Sequence, residues 1–235
     1  MNNILSIYRK ELRSYLYSPI PYILIIVFMI ITGWFFTTNL FLNEVVSLRG
    51  VLDVIPFILL FYIPAISMRT FSEEKKSGTI ELLMTKPITE YDVVIGKFLS
   101  TITLAAFTFL PTVVYVISLT FLGKLDFGPV ISSYLGLLLL AGLYISVGIF
   151  SSSLTENQVI AFIISFLIVF ALFMINKVLV FVPSGMVSTM EYISSDSHFS
   201  NIVRGVIDSR DIVYYLSGII IMIILTKTSL ESRKW

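Results

Sequence analysis

One stretch of the chain concentrates groups able to do chemistry: Arg69 to Lys97, RTFSEEKKSGTIELLMTKPITEYDVVIGK. It holds five of the sixteen Lys/Arg and five of the fifteen Asp/Glu, whereas 54–68 and 98–123 on either side hold none. Interleaved acids and bases bind rather than catalyse, through ion pairs and charge-assisted hydrogen bonds to another surface. Gly78 offers a flexible break. Thr79 to Thr85 then suits a two-turn helix with Ile80, Leu83 and Met84 on its apolar side. Lys86-Pro87 ends it, because the residue before proline avoids the helical region. Thr89 with Asp92 three residues later reads as a capping pair that restarts the chain as a helix. The pattern predicts a short transverse helix on which a soluble partner docks. An ordinary solvated loop is the alternative.

Other chemistry finds little footing. With no Cys, the chain has no disulfide framework, thiolate metal site or redox motif. His198 is the one histidine, and a metal site needs several convergent ligands, so it reads as a surface or interface residue. HExxH and the phosphate-cradling GxxxxGK[ST] are missing, and no Ser/His/Asp set can be assembled inside a span. The expectation is therefore no catalysis, no cofactor and no metal; energised work would draw on another chain. A formal net charge of +1 says nothing about nucleic acid, and no basic block supports such a partner. Inside the apolar stretches, Asn39, Asn157, Asn176 and scattered Ser/Thr are the only polar candidates, read as helix-to-helix hydrogen bonds or membrane-edge residues. Twenty-six residues without charge separate Lys97 from Lys124, and 29 separate Asp126 from Glu156. Proton and sodium relays need ionisable groups there.

The elements that must position these residues are membrane helices. The 235 residues are 57% hydrophobic and 13% charged, against roughly 25% charged in a soluble domain. Six segments approach the ~20 apolar residues that cross a bilayer: about 22–42, 52–70, 93–122, 129–152, 158–181 and 212–230. The first reads as uncleaved, since no small-residue cleavage pattern follows it. The second contains Pro56 and Pro64, so a kinked or tilted span is expected in preference to a re-entrant one. Placing both termini and 69–97 inside gives eleven Lys/Arg inside and five outside. At 3–17, Ile4, Tyr8, Leu12, Tyr15 and Leu16 recur at helical spacing with Arg9, Lys10 and Arg13 around them, as in a helix lying in the membrane interface. The segment 182–211 is the sizeable extracytoplasmic piece. There Phe199, Ile202, Val203 and Val206 predict a short amphipathic helix, and Asp208 and Asp211 are placed to cap the last span. The fold class is all-α: a single polytopic membrane domain over 1–235.

Arg69, Glu73, Glu74, Lys75, Gly78, Thr79, Glu81, Leu82, Leu83, Pro87, Gly96 and Lys97 together resemble the signature joining the second and third spans of ABC-2 type permeases. Two further pieces, SSSLTENQVIAF and FSNIVRGVIDSRDIVYYLS, look like the gliding-motility-associated and nitrous-oxide-reductase-maturation permeases. The resemblance implies that 79–85 is a cytoplasmic coupling helix seated in a cleft of a separate ATP-binding subunit. Glu73, Glu74, Gly78, Thr79, Glu81, Leu82, Leu83 and Pro87 would form that contact. It implies a unit of two permease chains, homodimeric or heterodimeric, and two ATP-binding subunits in a bacterial inner membrane. Export of a substrate is the expected activity. A permease that pushes on an extracytoplasmic partner without moving solute, and a scaffold recruiting a cytoplasmic factor, are the alternatives. The chain departs from larger members in having only ten or so residues between spans one and two.

Overall fold

A computed structural model describes residues 3–42, 47–84, 88–123, 126–181 and 183–232, and among them every regular element is helical. Six helical stretches are long and apolar enough to cross a membrane: Pro19–Phe41, Arg49–Lys76, Glu90–Leu122, Phe127–Leu154, Gln158–Val178 and Ser209–Glu231. The architecture is that of an all-α polytopic membrane protein. We number these spans 1 to 6.

Helix α1 (Asn3–Tyr17) precedes span 1. Ser18 separates the two: its hydroxyl accepts from the Ile20 amide at 3.4 Å, and Pro19 occupies the first helical position of α2 (Pro19–Thr37), where its missing N–H costs nothing. Span 2 is assembled from three pieces: α3 (Arg49–Leu52), α4 (Ile55–Ser67) and α5 (Arg69–Lys76). It runs across as one bent strut, with Pro64 inside α4 and an interruption at Met68. Its last turn ends at Gly78, whose φ of +70° is the left-handed conformation that glycine adopts without a Cβ penalty. The short α6 (Thr79–Met84) follows.

Span 3 begins as its sequence predicts. The Thr89 side chain accepts from the Asp92 amide, and the Asp92 carboxylate accepts from the Thr89 amide, both at 3.2 Å. It comprises α7 (Glu90–Phe109) and α8 (Val113–Leu122), joined by a tight turn at Leu110–Thr112 that carries Pro111. Span 4, α9 (Phe127–Leu154), is unbroken, and it is the most enclosed of the six. Gly148 lets it approach span 2 closely: a Cβ there would lie 1.9 Å from the Ser67 hydroxyl. Span 5 is α10 (Gln158–Val178), capped by Asn157, and span 6 is α13 (Ser209–Glu231), capped by Asp208.

Between spans 5 and 6 lie α11 (Ser184–Ile193) and α12 (Ser195–Val203). Phe199, Ile202 and Val203 are buried, as the spacing predicts, against α9 and α10. Val206 departs from that expectation. It is exposed, because the helix stops at Val203 and Gly205 turns the chain with φ +89°.

Candidate functional site

The stretch singled out by its charges occupies one end of the bundle, where α1, α5, α6 and the start of α7 meet. Helix α1 packs chiefly along α7. Gly96 makes that approach possible, since an added Cβ would sit 2.8 Å from Ile7 Cγ2 and 3.2 Å from the Ile4 carbonyl. One residue on, Lys97 is buried, with 1% of its side chain exposed. Its ammonium lies 3.1 Å from Glu11 Oε1 of α1 and 3.0 Å from Glu74 Oε2 of α5, and it donates to the Thr70 carbonyl at 2.7 Å. The Phe71 ring lies 5.0 Å away. Lys10 approaches from outside, 3.3 Å from Glu74 Oε1 and 3.5 Å from Glu11 Oε1. A buried cation needs paired charge and filled hydrogen bonds, and these two carboxylates and one carbonyl supply them. Glu11, Glu74 and Lys97 therefore pin three segments that are far apart in sequence.

The eight residues predicted to meet a partner divide by direction. Glu73 points out and pairs with Arg69 one turn earlier, at 3.0 Å. Glu74, one position on and therefore about 100° round the helix, turns inward to Lys97. Gly78, Thr79 and Glu81 are exposed, with Lys76 and Ser77 beside them. Ile80 is buried beneath them. Leu82 and Leu83 lie on α6, but their side chains, like that of Met84, are outside the described residues, as are Thr85, Lys86 and Pro87 altogether. The arrangement is an exposed polar rim on a short helix whose apolar anchor faces the bundle. Its exposed charges are open to another surface.

Sequence reasoning missed Glu11 as a partner and treated Lys97 only as part of a family pattern. The signal lay in Lys97 itself: a lysine seven residues inside an apolar span start has to find a carboxylate.

At the opposite end, His198 corrects the expectation of a surface residue. It is buried at 5% exposure, with Nδ1 2.5 Å from Asp211 Oδ1 and Nε2 3.0 Å from the Tyr192 carbonyl. Both ring nitrogens thus have partners within the chain, and among the described residues no group of three or more His/Cys/Asp/Glu is arranged to hold a metal. Tyr214 stacks on the imidazole with ring centroids 4.1 Å apart. Asp196, buried, takes Lys177 and Asn176, each at 2.7 Å. The Tyr215 hydroxyl donates to the Ser195 carbonyl at 2.7 Å, and Tyr144 meets the Ser195 hydroxyl at 3.1 Å. Asn176 and Asn157 accordingly serve structure, as a cross-helix bond and a cap.

Spans 1, 2 and 5 enclose an apolar groove of about 480 Å³ between them, lined by Phe28, Phe35, Phe57, Phe61 and Phe162 among others.

Compared with known families, residues 5–228 match the model described as ABC-2 family transporter protein. No curated protein matches the chain.

Proposed function

The chain belongs to the ABC-2 family of transporter proteins, and from that premise we propose that it is an export permease of a bacterial inner membrane, with α6 as its coupling helix. The multi-pass membrane component of an ABC transporter is what the family establishes; it associates with an ATP-binding subunit and with the bilayer. The finer reading is ours. Two ATP-binding subunits grip two copies of the α5–α6 hook, and a second permease chain completes the pathway. Both termini lie in the cytoplasm, with eleven of the sixteen Lys/Arg on that side.

The observation that carries this reading is the hook itself. Helix α5 continues span 2, Gly78 reverses the chain, and Glu73, Lys76, Thr79 and Glu81 remain exposed around the turn. A rigid rod ending in an exposed rim converts a push on the rim into motion of a span. The exposed apolar flanks of spans 1 and 5, with the groove between them, support a second chain there. SSSLTENQVIAF and FSNIVRGVIDSRDIVYYLS support a place near the gliding-motility and nitrous-oxide-reductase-maturation permeases.

The test is retention of ATPase activity. The chain, isolated from its own membrane in mild detergent, should carry ATP hydrolysis with it. The double variant Glu81→Lys/Leu82→Asp should still insert but lose that activity, since a charge in a desolvated pocket costs several kcal/mol. Undiminished hydrolysis by the complex of the double variant would overturn the proposal.

A further inference from the structure

The serines ending span 4, Ser151-Ser152-Ser153, remain without a role, yet they meet span 2 at its interruption. The Ser152 hydroxyl is wedged into the backbone of span 2. It accepts from the amides of Phe71 at 2.9 Å and Ser72 at 3.0 Å, and donates to the Met68 carbonyl at 2.8 Å. The neighbouring carbonyls are also met by side chains. Ile66 receives the Tyr15 hydroxyl of α1 at 3.4 Å, Ser67 receives Thr70 at 2.7 Å, and Thr70 receives Lys97 at 2.7 Å. One turn further, the Lys75 ammonium donates to the Ser153 carbonyl, at the end of α9 where a cation is favoured. Ser153 in turn donates to Ser229 of span 6 at 3.1 Å. An interruption in the ladder is where a helix bends most readily, and here the inserted Ser152 hydroxyl satisfies the backbone groups it frees.

We propose that Ser152 is a positioning residue: its hydroxyl holds residues 66–70, the joint between span 2 and the α5–α6 hook, in one geometry, while Lys75–Ser153–Ser229 ties the hook to spans 4 and 6. The proposal rests on the hook being the coupling element. Its physical content, a joint held by one hydroxyl, is separable from what grips the hook.

The chain has no cysteine, so paired spin labels at Lys76→Cys and Phe107→Cys report the angle of the hook against span 3 in liposomes. Ser152→Ala should replace one narrow distance distribution by a broad one. It should also speed hydrogen exchange at Phe71 and Ser72 about tenfold, the equivalent of roughly one lost hydrogen bond. Ser151→Ala is the control. Ser151 is equally buried, but its hydroxyl bonds only the Val147 carbonyl of its own helix at 2.9 Å, so both readouts should stay native. Lys75→Met leaves the Ser152 bonds in place and should broaden the distance without speeding exchange. Native readouts in Ser152→Ala, equal effects from Ser151→Ala, or an unchanged distance in Lys75→Met would each overturn the proposal. None of these measurements needs an ATP-binding subunit, so the joint can stand if the docking of α6 fails, and the reverse.

Discussion

The two ends of the bundle both bury charge, but they connect different things. At the α1 end, Glu11, Glu74 and Lys97 join three segments with up to 86 residues between partners. At the other end, Lys177, Asp196, His198 and Asp211 close a local knot within about 35 residues of chain. A local knot shapes one cap; a long-range junction ties separate levers into one body. The difference teaches where motion can be passed. The ion pairs of the α12 cap act within one stretch of chain, whereas those of the Lys97 junction couple three segments at once.

The hardest test of that contrast is Lys97→Met. It leaves Glu11 and Glu74, both largely buried, with only the exposed Lys10 as counter-charge, and should cost about 3 kcal/mol of stability in detergent unfolding. The triple variant Lys97→Met/Glu11→Gln/Glu74→Gln should recover most of it. A triple variant no more stable than the single would show that shape, not charge, seats α1.

Next in size is Asp211→Asn, which removes the carboxylate facing His198 and should cost about 1–3 kcal/mol. Hydrogen exchange should rise in α12 and the first turn of α13 and stay native in α1. A matching rise in α1 would abolish the distinction between the ends. The smallest effect is expected for Arg69→Gln. Its partner Glu73 is half exposed, and such pairs contribute within about 1 kcal/mol. Thermal unfolding should shift little, and a loss as large as that of Lys97→Met would mean that the exposed rim belongs to the junction.

Much of the frame was legible before the structure. Spans follow from composition, since a bilayer admits few other solutions. The Thr89–Asp92 cap follows from spacing alone. Other features depended on contacts that no local pattern carries. Glu73 and Glu74 read alike in sequence, and only the phase of α5 sends one to solvent and the other to Lys97. Glu11 sits in a basic amphipathic head and looks like an ordinary interfacial acid. His198 finds Asp211 across a turn that Gly205 makes, so its burial could not be read from a lone histidine. Val206 fitted the helical period but lay past the glycine that ends it.

Seating α1 against Gly96 and Lys97 also sets an order of biosynthesis. Asn3, Ile7 and Glu11 all find their partners on α7, about 90 residues later in the chain. Until span 3 is made, α1 can reach only its contacts with span 2, Lys10 to Glu74 and the Tyr15 hydroxyl to the Ile66 carbonyl. Only when span 3 arrives does Glu11 meet the buried ammonium of Lys97. The junction therefore closes late: its three segments can lock together only after residue 97 has been made.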